Sequence, residues 1–130
     1  VLLFRCFFFL RSPVQHITSV KVPEYEGEPL STRDILQVCL EDRKGQTVNM
    51  IVNHHPSKYG GTQASEGRRA AAMHTLKEIC DSLVRIGQGS IIAMGDFNDT
   101  PDGQQFSMLD GILISQPNFS LMNARSSLII

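Results

Sequence analysis

Thr47-Val48-Asn49-Met50-Ile51-Val52-Asn53 runs directly into His54-His55-Pro56-Ser57-Lys58-Tyr59-Gly60-Gly61, and this junction decides the architecture. The first seven residues are rich in β-branched and apolar side chains, the composition of a buried strand. The next residues hold Pro56, Gly60 and Gly61, which break any ladder or helix, so residues 54–63 read as a loop leaving the carboxyl end of that strand. On the amino-terminal side, residues 32–40 carry Ile35, Leu36, Val38, Cys39 and Leu40 and predict a second buried strand. Asp42-Arg43-Lys44-Gly45-Gln46 supplies the turn between the two, making a hairpin. On the carboxyl side, Ala72, Met73, Leu76, Ile79, Cys80, Leu83 and Val84 recur at three- and four-residue spacing, one apolar stripe on a helix over about 65–86, with Gly87 as its C′ residue.

Farther out, residues 90–94 form a short apolar strand that ends in Gly95-Asp96-Phe97-Asn98-Asp99. Thr100-Pro101 has the pattern of an N-cap with Pro in the first helical position, which predicts a short helix to about Leu109. Residues 112–114 suggest one more strand. Toward the start, residues 16–22 read as a strand and residues 23–30 as an acidic loop. The opening apolar run, residues 1–10, is half the length of a membrane helix, holds Arg5, and reads as a buried strand. Strand, hairpin, helix, strand, helix is the order of an α/β sandwich with mixed strand directions. If the strands at 47–53 and 90–94 are neighbours, their loops converge on one rim.

The totals narrow the function classes. A chain of 130 residues with 42% hydrophobic content supports one domain. Its 12 basic and 13 acidic residues leave a net charge of −1, so no global field draws it to nucleic acid or to an anionic membrane. Cys6, Cys39 and Cys80 lack CxxC spacing and are odd in number, which argues against a disulfide framework or a structural zinc and for small core residues.

The two loops carry the chemistry. Residues 54–61 pack two imidazoles, a hydroxyl, an ammonium and a glycine pair, groups that donate to phosphoryl oxygens or let backbone approach a ligand. Taken alone, the same loop is equally a polar turn with surface histidines. In 95–99, Asp96 and Asn98 project to one side if the stretch is extended, offering hard oxygens to Mg²⁺ or to an attacking water, with Phe97 turned into the core. The competing reading is a turn whose Asx side chains bond their own backbone, which suits Asp99 and leaves it a supporting role. Arg68 and Arg69 open the long helix; they extend a basic rim or are ordinary solvated charges, and Arg68 is kept with the binding set. His74 reads as a partly buried structural residue, and Lys77 with Asp81 as a surface pair.

Taken together, Thr32-Arg33-Asp34-Ile35-Leu36, Val52-Asn53-His54-His55-Pro56-Ser57-Lys58, residues 66–72 and Met94-Gly95-Asp96-Phe97-Asn98-Asp99-Thr100-Pro101 resemble the endonuclease/exonuclease/phosphatase superfamily. The likeness is strongest to bacterial hydrolases of that superfamily, and it runs through the chain to about Pro101. It implies a DNase I-like, four-layer α/β sandwich with mixed and antiparallel sheets, and hydrolysis of phosphate esters with Mg²⁺ or Mn²⁺. By that resemblance Asp96 positions or deprotonates the attacking water, Asn98 orients phosphate or metal, and His54 donates to the scissile phosphate. Asp96 and Asn98 are then the metal-binding candidates, and Ser57, Lys58 and Arg68 the substrate-binding ones. His55 stands where the family has tryptophan. Lys58 replaces the family arginine, keeping the charge and losing the bidentate fork.

The family's metal-binding glutamate and its closing aspartate-histidine pair have no match in residues 1–130, so the chain reads as a partial single domain. Two functions follow as expectations. One is a metal-dependent phosphoesterase acting on a phosphate ester, with nucleic acid among the possible substrates. The other is a catalytically incomplete module that binds phosphate or a partner and self-associates through an exposed apolar face.

Overall fold

The computed structural model describes residues 13–88, 90–100 and 103–109. The expected strands at 1–10 and 112–114, together with Cys6 and Pro101, lie outside the described residues. Six strands, one long helix and a 3-10 helix follow in the order β1 (Val14–Val20), β2 (Glu24–Tyr25), β3 (Glu28–Pro29), β4 (Ile35–Glu41), β5 (Thr47–His54), α1 (Thr62–Arg85), β6 (Ile91–Asp96) and the 3-10 turn Gln104–Leu109. The main sheet has the order β1-β4-β5-β6. β1 pairs with β4 and β4 with β5 antiparallel, while β5 and β6 run parallel, from Asn49 opposite Ile91 to His54 opposite Asp96. The expected hairpin is thus β4-β5, closed by an Asp42 carboxylate that accepts from the Lys44 and Gln46 amides at 2.7 and 2.8 Å.

A parallel pair needs a crossover, and α1 supplies it. Its buried residues Ser65, Arg69, Ala72, Met73, Leu76, Ile79, Cys80 and Leu83 recur every three or four positions. That stripe packs on Val22, Ile35, Ile51 and Ala93 of one side of the sheet and its flanks, with Phe97, Phe106 and Leu109 closing one end. Each such aliphatic side chain, fully buried, contributes ~1.5–3 kcal/mol. The other side of the sheet carries a smaller cluster of Val38, Leu40 and Met50 with Met94 against it. Strands β4 and β5 are therefore apolar in both directions, which is why they read as near-continuous hydrophobic runs. The helix ends as expected on Gly87 (φ 78°), whose amide donates to the Val84 carbonyl while the Gln88 amide donates to that of Leu83.

Four expectations need correction. Residues 23–30 are not a plain loop: β2 and β3 pair antiparallel across a Glu26-Gly27 turn with both φ values positive, and the Tyr25 ring lies against α1 so closely that a Cβ at Gly67 would meet it at 2.1 Å. The helix after the second motif is 3-10 and spans Gln104–Leu109, with Gly103 just before it accepting from the Phe106 amide. His74 is exposed, 3.8 Å from Glu78 one turn on, because it falls outside the buried stripe. Cys39 is only half-buried, its thiol 3.7 Å from Gln15 Oε1, whereas Cys80 is fully buried and its thiol is pushed up to about 11 by burial. Among the described residues no helix is long and apolar enough to cross a membrane. The Lys77–Asp81 surface pair forms as expected.

Candidate functional site

Because β5 and β6 are parallel neighbours, the residues that end them stand side by side. His54 is in register with Asp96, and both side chains leave the sheet on the face opposite α1, that of Met50 and Met94. Neighbouring strands lie about 4.8 Å apart, so the imidazole and the carboxylate start from adjacent backbone positions. Gly95 makes that approach possible: a Cβ there would sit 1.9 Å from the Asn53 carbonyl oxygen, and its φ of 131° suits no side-chain-bearing residue.

Immediately beyond the strands, His55 staples the two loops together. Its amide donates to the Asp96 carbonyl at 2.8 Å, and its carbonyl accepts from Asn98 Nδ2 at 2.8 Å. Its ring points to the α1 side, is 1% exposed, and stands edge-on to Phe97 with centroids 5.0 Å apart. Neither ring nitrogen has a hydrogen-bond partner among the described residues. Burial, with help from His54 and Arg69 and against the attraction of Asp96, lowers its pKa to about 4, so this imidazole is neutral at pH 7. His55 is thus a neutral, buried ring packed against Phe97 and not a solvent-facing donor.

Of the two readings of the second motif, the Asx turn and not the extended stretch is what forms. Asn98 has φ 50°, and its amide donates to Asp96 Oδ1 at 2.8 Å, an Asx turn. The consequence favours rather than blocks chemistry. Asp96 keeps Oδ2 without a partner among the described residues, and Asn98, held by its Nδ2, keeps its amide oxygen. Phe97 is fully buried, as its position between the two demands. Both retained atoms are hard oxygens of the kind Mg²⁺ takes, and Mg²⁺ is commonly held by one or two carboxylates with water and substrate phosphate completing its shell. Asp96 and Asn98 fit such an open site as a partial set. Among the described residues no group of three or more His, Cys, Asp or Glu side chains could hold a metal ion.

The basic candidates lie at the end of β5, in the loop that follows it and in the first turns of α1. His54, Ser57 and Lys58 are exposed. Arg68, one turn and a half into α1, donates to the Tyr59 carbonyl at 3.3 Å and ties the loop to the helix. Lys58 is bound within the protein, its ammonium 2.9 Å from Asp99 Oδ1. Arg69 contradicts its reading as a solvated charge. It is 2% exposed, donates to Ser65 Oγ at 2.6 Å, and has Nε 3.9 Å from Asp99 Oδ2. The sequence did hold a signal for this, since Arg69 falls between Ser65 and Met73 on the i, i+4 line of the buried stripe.

Similarity to known proteins agrees with this architecture. The human Nocturnin catalytic domain, solved with bound sulfate, matches at a TM-score of 0.59 and 19% identity over 79% of this chain and 37% of its own length. Beta toxin of Staphylococcus aureus with bound magnesium ions matches at 0.57 and 20% identity, over 81% and 37%. TDP2 of Danio rerio (D. rerio), in complex with a single-stranded DNA product, matches at 0.53 and 14%, over 82% and 37%. The chain thus spans 37% of the length of each of these three structures, and at these identities the likeness is one of fold, the DNase I-like α/β fold. No curated protein matches the chain. The family model described as endonuclease/exonuclease/phosphatase family matches residues 2–128. The chain belongs to the endonuclease/exonuclease/phosphatase family.

Proposed function

We propose that the chain forms the central part of a divalent-metal-dependent phosphoesterase site, in which Asp96 and Asn98 organise the attacking water and His54 donates to the phosphate. The observation that carries this is the parallel register of β5 and β6, which sets His54 directly beside Asp96 at the carboxyl ends of both strands. In this reading Asp96 Oδ2 accepts a proton of the water and aligns it for in-line attack, a positioning effect. The Asn98 amide oxygen holds the water or the metal, with the His55 carbonyl fixing the amide's orientation. The exposed His54 imidazole donates to a non-bridging oxygen as charge develops there. Ser57 adds a hydroxyl donor, while Lys58 and Arg68 provide positive charge along the phosphate path. Mg²⁺ or Mn²⁺, when bound, would neutralise phosphoryl charge and lower the pKa of its water. The metal-binding glutamate and the aspartate-histidine pair of the family would complete the site from polypeptide other than these 130 residues.

The test is hydrolysis of a generic phosphodiester by the full-length protein with Mg²⁺ or Mn²⁺, an EDTA blank and Asp96→Ala. Metal-dependent turnover that vanishes in Asp96→Ala supports the reading; equal turnover in the variant overturns it. A second reading, a phosphate- or partner-binding module without turnover, draws on Asp96 and Asn98 being only a partial metal set among the described residues. It predicts phosphate binding in a folded but inactive sample. Ile17 and Val14, 59% and 45% exposed on β1, are the apolar surface through which such a module would self-associate, which sedimentation velocity would reveal.

A further inference from the structure

We propose that Asp99 is a positioning residue that fixes the Lys58 ammonium at the rim of the site, an inference that rests on the phosphoesterase reading for its kinetic consequence. Asp99 is the one described carboxylate that reaches three separate elements. Oδ1 accepts from Lys58 Nζ in the β5 loop at 2.9 Å and from the Thr100 amide at 2.9 Å. Oδ2 accepts from Gln105 Nε2 in the 3-10 turn at 2.7 Å and lies 3.9 Å from Arg69 Nε in α1. The carboxylate is 15% exposed, so these contacts are poorly screened compared with a surface pair.

Gly103 shows how little room the arrangement has, since a Cβ there would stand 2.6 Å from Asp99 Oδ2. The Gln105 hydrogen bond and the Arg69 ion pair hold Oδ2 from the core side and leave Oδ1 aimed at the loop. The Lys58 side chain is 39% exposed while bonded to it, so two of its three ammonium donors remain for an incoming phosphate oxygen. A lysine has a flexible stem and no planar fork, so at this position orientation must come from a partner. Asp99 supplies it, which makes the second motif five residues long in function and gives Gln105 a share in it.

The exposed Tyr59, next to Lys58, reports on the loop independently of any activity, because chymotrypsin cuts after it. In the full-length protein, Asp99→Ala, Lys58→Gln and the double variant should each be cut at Tyr59 about 10-fold faster than the parent, the double no faster than either single, as two ends of one contact behave. Phosphodiester KM should rise about 10-fold in each single variant and no further in the double, with kcat within about 3-fold of the parent, the pattern of lost uniform binding. If Asp99→Ala accelerates cleavage and Lys58→Gln does not, Asp99 only anchors the 3-10 turn and the proposal fails. It also fails if the two effects add, or if Asp99→Ala lowers kcat as Asp96→Ala does. If Asp99→Ala does not fold, Asp99→Asn, which keeps an oxygen toward Lys58 and removes the charge, takes its place in the cycle. A parent that hydrolyses nothing while the cleavage pattern holds would sink the phosphoesterase reading and leave the Lys58–Asp99 clamp standing.

Discussion

At the end of β5 and in the loop after it, His54, Ser57, Lys58 and Tyr59 all face solvent, whereas at the end of β6 and in the loop after it Phe97 is fully buried and Asp96, Asn98 and Asp99 are half-buried and bonded within the protein. The first loop presents donors; the second holds acceptors in place and carries the bonds that fix both. His55 is the exception that joins them, an element of the first loop that is buried in the manner of the second. The lesson is that a rim can combine solvent-facing cations with half-buried oxygens when one loop is tied into the core. Changes at the exposed residues His54, Ser57 and Lys58 should therefore cost function with little stability, and changes at the buried His55 and Phe97 should move stability.

Asp96→Ala gives the largest separation of the two, with turnover lowered by about 10³-fold, equivalent to ~4 kcal/mol of transition-state stabilisation. Stability should fall by only ~1 kcal/mol, from loss of the Asn98 amide bond, as read from denaturant midpoints. Gly95→Ala should lower stability by about 3 kcal/mol or more, since its methyl would overlap the Asn53 carbonyl, and heat unfolding would register it even in an inactive background.

The pH dependence of stability tests the buried joint. Unfolded, His55 takes a proton near pH 6.5; folded, only near pH 4. Between these values the unfolded chain binds more protons, so the stability that neutral His55 contributes is complete above about 6.5 and declines as pH falls toward 4, by on the order of 2–3 kcal/mol. His55→Phe should flatten that decline. It should also raise stability at pH 7 by about 1 kcal/mol, because two buried nitrogens without partners among the described residues are replaced by ring carbons against Phe97. A denaturant midpoint that falls equally with pH in parent and variant would place the titration elsewhere. Ser57→Ala should have the smallest effect, within about 0.5 kcal/mol of the parent in stability, with a few-fold loss of activity.

Much of this was readable in the chain itself. The hairpin of β4 and β5, the span of α1 with its Gly87 stop, and the two polar loops at strand ends all follow from local periodicity and turn residues, which act over a few positions. What adjacent residues do with different surroundings did not follow. His54 and His55 are chemically identical neighbours, yet strand alternation and the packing of Phe97 make one exposed and the other a neutral core wall. Arg68 and Arg69 divide in the same way, one at the loop and one in the core with Ser65 and Asp99. The deciding contacts join residues 41 and 43 positions apart, Lys58 with Asp99 and His55 with Asn98. Sequence by itself determined which groups stand at the ends of the strands. Only the parallel pairing of β5 with β6, which brings those distant ends together and desolvates some groups while leaving others wet, decided which of them face solvent and which are bonded within the protein.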